Sequence, residues 1–194
     1  MRSLRIIQHI SLDGIIQVSG EPGDPFPYGD WTAPYRTPEG RDVVLSLHGE
    51  QFDLLLGRRT YDAWASWWPK APRSLMADRL NAATKYVVTH RTDDLSWGPC
   101  VALDAGMLRA VEQLKSEDGP PLILSGSISL CTPLIEAGLA DEMTLIVYPV
   151  LLGAGKPLLA QGARARGFTL RDSMALPSGL VISRYQLADA LPVG

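Results

Sequence analysis

The sequence predicts an α/β fold: a mixed, mostly parallel central sheet with antiparallel C-terminal strands and flanking helices. Three observations predict it. Short apolar or β-branched runs alternate with helical periodicity over the first two-thirds of the chain. Strand-like segments then follow one another beyond residue 141, and Pro177-Ser178-Gly179 supplies a hairpin turn between the last two. At 194 residues, 46% of them hydrophobic, the chain suits one domain, 1–194, with a substantial core.

Residues 4–10 read as the first strand. The Gly/Pro/Asp-rich stretch 13–40 is longer than an ordinary connection and carries Trp31 and Tyr35, which marks it as an active-site flap rather than a disordered segment. Residues 37–50 read as a helix begun by Thr37 or Pro38, with Val43, Val44 and Leu47 on its apolar stripe. A compact apolar strand, 52–56, leads into a helix over 59–68 that Pro69 ends, and 75–83 reads as a shorter helix. KYVVT, 85–89, has the β-branched content of a buried strand. Asp104 suits the cap of a helix through Lys115, with Leu108, Val111 and Leu114 on one face and Asp118-Gly119 at its end. Strand 121–125 turns at Gly126 into a helix carrying Ile128, Cys131, Leu134 and Ile135, closed by Gly138. Pro133 fits that helix only in its first turn. Residues 143–150, 168–175 and 180–187 complete the strands.

A net charge of −3 with scattered basic residues lacks the footprint of a nucleic-acid or membrane-surface binder, so a small polar ligand is expected. Cys100 and Cys131 are far apart, which argues against a disulfide scaffold or a cysteine-based zinc site; no metal is expected, and a reducing cytoplasm suits both thiols. The N-terminal apolar run is too short for a signal-peptide core, and the apolar segment 143–152 is cut by Pro149 and followed by Gly153. A soluble, cytoplasmic protein is the expectation. The same apolar segment suits either a contact between two chains or a buried central strand.

Three strand-to-helix handovers carry chemistry. At Gly57-Arg58-Arg59-Thr60 a glycine permits close backbone approach, helix N–H groups favour an anion, and arginine adds bidentate contacts; a surface turn with its arginines on acids such as Asp62 accounts for the residues equally well. Thr89-His90-Arg91 follows a buried strand and suits a phosphate such as the one that distinguishes NADP from NAD, although a solvated strand end has the same composition. Ser125-Gly126-Ser127-Ile128 offers small residues and amides to a pyrophosphate, or a plain helix cap by Ser127 or Ser129. Neither G-x-G-x-x-G nor G-K-[ST] is present at these handovers, which disfavours Rossmann and P-loop readings.

The segments ISLDGII (10–16), LLLGRRTY (54–61), VVTHR (87–91), LILSGSISL (122–130) and GLADEMTLIVYPVLLGAGKPLL (138–159) resemble the dihydrofolate-reductase-like superfamily in content and order. SLDG, GLADE and PVLLGAGKPLL place the resemblance nearer the reductase domain of riboflavin-biosynthesis enzymes and its stand-alone relatives. The resemblance implies a three-layer fold, an NADPH cofactor, and hydride transfer to a heterocyclic substrate, either pterin-like or like 5-amino-6-(5-phosphoribosylamino)uracil. It places Gly57, Arg58, Arg59 and Thr60 at the adenosine side and pyrophosphate. Thr89, His90 and Arg91 fall at the 2′-phosphate, and Ser125, Gly126, Ser127 and Ile128 under the pyrophosphate and nicotinamide ribose. His9, Ile10 and Ile16 border the nicotinamide, and relatives often form homodimers through their late strands.

Departures are informative. Many relatives have two glycines where this chain has Ser125-Gly126, and the acid that holds a pterin in dihydrofolate reductases corresponds to no single one of Asp30, Glu39 and Asp42. Asp13, in the LDG turn, is the expected polar residue near the substrate, with Trp31 as its stacking partner; a turn-forming role for Asp13 is the alternative. A histidine ending a strand, such as His9, is either a structural residue or a proton donor. A fold that retains nucleotide binding or dimerisation without chemistry is the alternative to a reductase.

Overall fold

The computed structural model describes residues 1–19, 26–103 and 106–188, and its strands form one eight-stranded sheet in the order β4-β3-β2-β5-β1-β6-β8-β7. Chain order runs β1 (Leu4–Ser11), α1 (Pro38–His48), β2 (Asp53–Gly57), α2 (Arg58–Trp67), α3 (Leu75–Ala82), β3 (Lys85–Val88) and β4 (Cys100–Leu103). It continues through α4 (Met107–Ser116), β5 (Leu122–Leu124), α5 (Ile128–Glu136), β6 (Glu142–Tyr148), β7 (Phe168–Ala175) and β8 (Val181–Leu187). Strands from β4 to β6 pair in parallel, whereas β8 is antiparallel to β6 and β7 to β8. The expected mixed sheet with an antiparallel C-terminal edge is therefore present.

Two apolar layers make it three-layered. Ile7, Leu54, Leu56, Val87, Ile123 and Ile146 point to one face, where Val43, Val44 and Leu47 of α1 and Trp64 of α2 cover them. Leu4, Ile6, Leu55, Leu122 and Leu124 point to the other, under Val111 and Leu114 of α4 and Leu130, Cys131, Leu134 and Ile135 of α5. Period-2 alternation along parallel strands produces both cores at once, which is why β2 and β5 are buried throughout.

Local signals set the helix starts. Thr37 caps α1 by accepting the Gly40 N–H at 3.0 Å with Pro38 in the first turn, and Ser74 caps α3 by accepting from Ala77 N–H at 3.2 Å. Two expectations need correction. Strand β4 was not anticipated; it is a four-residue edge strand with one neighbour and no fully buried residue, so it carries little periodicity. Pro133 lies inside α5 rather than in its first turn, leaving the Ser129 carbonyl without the usual partner from position 133. The apolar segment from residue 143 begins in β6, between β1 and β8, so burial in the sheet accounts for much of its composition. The expected cap at Asp104 lies outside the described residues, as do residues 20–25 of the long loop. No helix among the described residues is long and apolar enough to cross a membrane.

Candidate active site

A cleft of about 880 Å³ runs along the C-terminal edge of the parallel strands, past the ends of β4, β3, β2 and β5 to the segment that follows β1. At roughly 4.8 Å between strands, β4 to β1 spans about 19 Å. Its walls are the three handovers. Gly57, Arg58, Arg59, Thr60, Thr89, His90, Arg91, Gly126, Ser127 and Ile128 all line it, and Ile16 closes the β1 end.

These segments are joined to one another. The Gly57 N–H donates to Ser127 Oγ at 2.9 Å, and the Ser127 N–H donates to Thr60 Oγ1 at 2.9 Å. Ser127 thus does not cap its own helix; it fastens the start of α5 to the start of α2. Its φ of 46° is left-handed, a conformation that costs an ordinary residue about 1–2 kcal/mol and that these two bonds offset. Gly126, at φ 62°, is gripped on both sides by the Gln8 amide: Nε2 donates to its carbonyl at 2.7 Å, and Oε1 accepts its N–H at 3.0 Å.

Arg58 is engaged in a different way from a phosphate clamp. Its Nε donates to Asp62 Oδ1 at 2.7 Å, and Nη1 donates to the carbonyls of Arg91 and Asp93, each at 2.8 Å. It therefore braces the loop after β3, while Thr89 Oγ1 bonds Arg91 at its carbonyl and N–H, both at 2.9 Å. Arg91 also reaches Asp62 Oδ2 at 3.4 Å with a largely exposed side chain. Arg59 and His90 line the cleft as exposed residues. The acid pairing that composition allowed is present at Arg58, and it organises the cleft wall.

Helices α2, α4 and α5 all begin at this cleft, at Gly57, Gly106 and Ser127, and none has a side-chain cap; α1 and α3, which begin elsewhere, are both capped. Uncapped N-terminal amides that converge on one cleft favour an anionic ligand.

Some expected residues lie elsewhere. Ser125 and Ile10 are buried in the strand ends and do not line the cleft. Trp31 is packed into the core, with its indole N–H donating to the Gln17 carbonyl at 2.7 Å and its ring edge-on to Tyr148 at 5.1 Å, so it presents no open face for stacking. Asp13 is a turn carboxylate away from the cleft. It accepts from Ser11 Oγ at 2.6 Å, from Gly153 N–H at 2.6 Å and from Leu152 N–H at 3.2 Å. The Ser11 hydroxyl, then the Gly153 amide, hold its acidity near pH 2. His9 is half-buried at the end of β1, on the sheet face opposite Gln8, and does not line the cleft.

The Asp13 bonds give a pH expectation. A depressed acid stabilises the fold above its unfolded value of about 4 and loses that contribution as pH falls toward 2. Asp13→Asn is therefore expected to flatten the wild type's loss of thermal stability between pH 4 and 2. An identical slope in both proteins, followed by circular dichroism, would count against the assignment.

Residues that sequence reading passed over complete the cleft. Lys156 and Gln17 line the β1 end, where the Lys156 N–H donates to Gln17 Oε1 at 3.0 Å and Ile16 N–H to the Lys156 carbonyl at 3.0 Å. Leu103 and Met107 form the wall beyond β4, and Gln8 sits beneath the floor. Lys156 lay within GAGKPLL, so its motif was visible while its position was not.

The model of the RibD C-terminal domain family matches residues 2–182. The chain is 29% identical over 177 residues to a Bacillus subtilis (strain 168) protein named "Uncharacterized protein YyaP", covering 89% of this chain and 88% of the relative. A pyrimidine reductase-like protein from Corynebacterium diphtheriae NCTC superposes with a TM-score of 0.68 at 15% identity, over 96% of this chain and 92% of that one. Dihydrofolate reductase from Enterococcus faecalis, solved with NADP(H), superposes with a TM-score of 0.61 at 14% identity, over 96% and 97% of the two chains. The sheet and its flanking helices are thus of the dihydrofolate-reductase-like type.

Proposed function

The chain belongs to the RibD C-terminal domain family, and we propose that it is an NADPH-dependent reductase that transfers hydride to a heterocyclic substrate of the pyrimidine or pterin kind. The observation that carries this reading is the convergence of three uncapped helix starts on one elongated cleft with basic side chains at the β3 end. The residues fit the cofactor. Gly57, Gly126 and the first turns of α2 and α5 would hold the pyrophosphate, and Arg59, His90 and Arg91 the phosphate at the β3–β4 end. A reduced nicotinamide supplies hydride when bound; the protein's part is to fix the phosphates, orient the ring at the Ile16–Lys156 end and exclude water. Arg58 acts through the loop it braces. The E. faecalis enzyme's NADP(H) and the C. diphtheriae protein's likeness to pyrimidine reductases support the two halves of the proposal.

Calorimetric titration of NADPH tests it. Arg59→Ala combined with Arg91→Ala is expected to weaken binding at least tenfold, and Arg91→Ala alone to narrow the preference for NADPH over NADH. Absence of binding in the wild type, or equal affinity in the double variant, sinks the site assignment. NADPH oxidation with 5-amino-6-(5-phosphoribosylamino)uracil or 7,8-dihydrofolate separates an active reductase from a fold that has kept only nucleotide binding.

A further inference from the structure

Hydride passes from a nicotinamide to a planar substrate when the reacting carbons lie about 3–3.5 Å apart, so a cleft that holds the cofactor must also give the second ring a wall. At the β1 end the cleft has walls from opposite layers of the fold. Ile16 belongs to the apolar cluster under α4 and α5, whereas Trp64 packs against the cluster on the α1 and α2 side, and both line the cleft. Helix α2 divides the space between them. Arg58 and Asp62 turn toward the loop after β3, whereas Thr60 turns toward β5, where its hydroxyl accepts the Ser127 N–H. Trp64 lies one turn beyond Thr60 on that same side of α2, with Ala63 beside it in the cleft wall.

The indole N–H groups of the chain separate Trp64 from the buried tryptophans. Trp31 donates to the Gln17 carbonyl at 2.7 Å and Trp97 to Asn81 Oδ1 at 2.8 Å, as a buried indole normally does. Trp64 is half-buried, and its Nε1 has no hydrogen-bond partner among the described residues. It is also absent from the buried unpartnered side-chain atoms, which are Arg5 Nε and Ser178 Oγ, so the N–H is open to solvent. Trp68 stands edge-on to Trp64, with 6.1 Å between ring centroids and 69° between planes, which fixes how the ring lies in the wall. The wall across from it is already committed. Gln17 Oε1 accepts the Lys156 N–H at 3.0 Å and its Nε2 donates to the Ser19 carbonyl at 3.2 Å, while Ile16 and Val18 give that side its apolar surface. One uncommitted donor on a rigid aromatic wall, facing an apolar one, suits a flat ligand with an acceptor on its edge.

We propose that Trp64 is the substrate-side wall of the cleft, and that its Nε1–H donates to a carbonyl oxygen or ring nitrogen on the edge of a planar heterocycle. This rests on the reductase reading: with the nicotinamide ring at the Ile16–Lys156 wall, the heterocycle occupies the space between that ring and Trp64. The indole donor sets which edge of the heterocycle turns toward α2, and hence which of its carbons faces the hydride. It selects rings with an in-plane acceptor, such as pyrimidinones and pterins, over rings that lack one, because a ring without an acceptor leaves the donor desolvated and unpaired. Trp64 moves no proton and determines specificity. The aromatic group on the substrate that sequence reading placed at Trp31 thus falls to a residue two turns into α2.

The test uses the full chain labelled with 15N-tryptophan and saturated with NADP+, so that no turnover occurs, and titrates it with 5-amino-6-(5-phosphoribosylamino)uracil and with 7,8-dihydrofolate. Of the five indole N–H signals, the one lost in Trp64→Phe is expected to shift downfield with the compound that binds, while those of Trp31 and Trp97 hold their positions. By calorimetry Trp64→Phe, which keeps an aromatic ring and removes the donor, is expected to weaken binding of that compound about tenfold. Trp67→Phe, at a ring 60% exposed on the same helix and outside the cleft, is expected to change it less than twofold. NADPH affinity is expected to stay within twofold of wild type in both variants, which also reports that they are folded. Full-strength heterocycle binding in Trp64→Phe, or a Trp64 signal that stays in place while the heterocycle binds, overturns the proposal and leaves the reductase reading standing. A matching loss of NADPH affinity moves Trp64 to the cofactor side and overturns it too. Binding of neither compound to the wild type overturns the proposal together with the substrate half of the reductase reading, and NADPH titration then decides the cofactor half alone.

Discussion

Asp53→Ala is expected to lower the thermal midpoint by roughly 6–20 °C. Asp53 Oδ2 pairs with Arg2 Nη2, and the two side chains are 11% and 2% exposed. Arg2 Nε also donates to the Pro120 carbonyl at 2.7 Å, and Asp53 Oδ1 accepts from Thr84 N–H at 3.1 Å. One ion pair therefore ties the residues before β1, β3 and β5 to the first residue of β2, at the end of the sheet opposite the cleft. Removing the carboxylate leaves a buried guanidinium without its counter-charge, which costs about 3–5 kcal/mol. For a chain of this length each kcal/mol corresponds to about 2–4 °C. Replacing both partners by apolar residues of similar volume is expected to recover most of the loss, because the penalty belongs to the unpaired charge rather than to the missing attraction. Thermal melts of Asp53→Ala and of Arg2→Met with Asp53→Leu decide it; a single variant within 2 °C of wild type shows the pair to be immaterial.

What the sequence made legible follows the range of the interactions involved. The GRRT, THR and SGS handovers stand at the ends of strongly apolar strands, and strand, turn and helix start are all encoded within a few residues of one another. Their convergence was legible only through the order of the segments. Gln8 was not, since its two bonds to Gly126 join positions 118 residues apart and nothing local separates it from any polar residue in a strand. The His9–Tyr148 contact spans 139 residues and was hidden for the same reason. Trp31 misled because an aromatic in a Gly/Pro-rich loop looks like an exposed stacking surface, whereas its N–H partner and burial make it part of the core. For Asp13 the bland reading, a carboxylate that organises a turn, matches the geometry. The turn it organises brings residues 152–153 beside the end of β1, close in sequence to Lys156 at the cleft.

Gly126→Val is expected to reduce NADPH affinity at least 100-fold while leaving the protein folded. Two separate constraints meet at this residue. Its φ of 62° is left-handed, which a residue with a side chain adopts at a cost of about 1–2 kcal/mol, and a β-branched one at more. A Cβ there would also stand 3.1 Å from Thr60 Cγ2 and 3.3 Å from Thr60 Oγ1. Thr60 cannot retreat freely, because its hydroxyl accepts the Ser127 N–H that fastens α5 to α2. Displacing it separates the two helix starts and turns the Gly126 peptide away from Gln8, so the floor of the cleft deforms before the core does. The two constraints separate in a second variant. In Gly126→Ala the clash falls mainly on Thr60 Cγ2, which Thr60→Ser removes while keeping the hydroxyl. Gly126→Ala with Thr60→Ser is therefore expected to recover NADPH affinity relative to Gly126→Ala alone, up to the limit set by the left-handed backbone. Equal affinities for those two proteins would leave backbone strain as the sole cause, and wild-type affinity in Gly126→Val would remove Gly126 from the cofactor site.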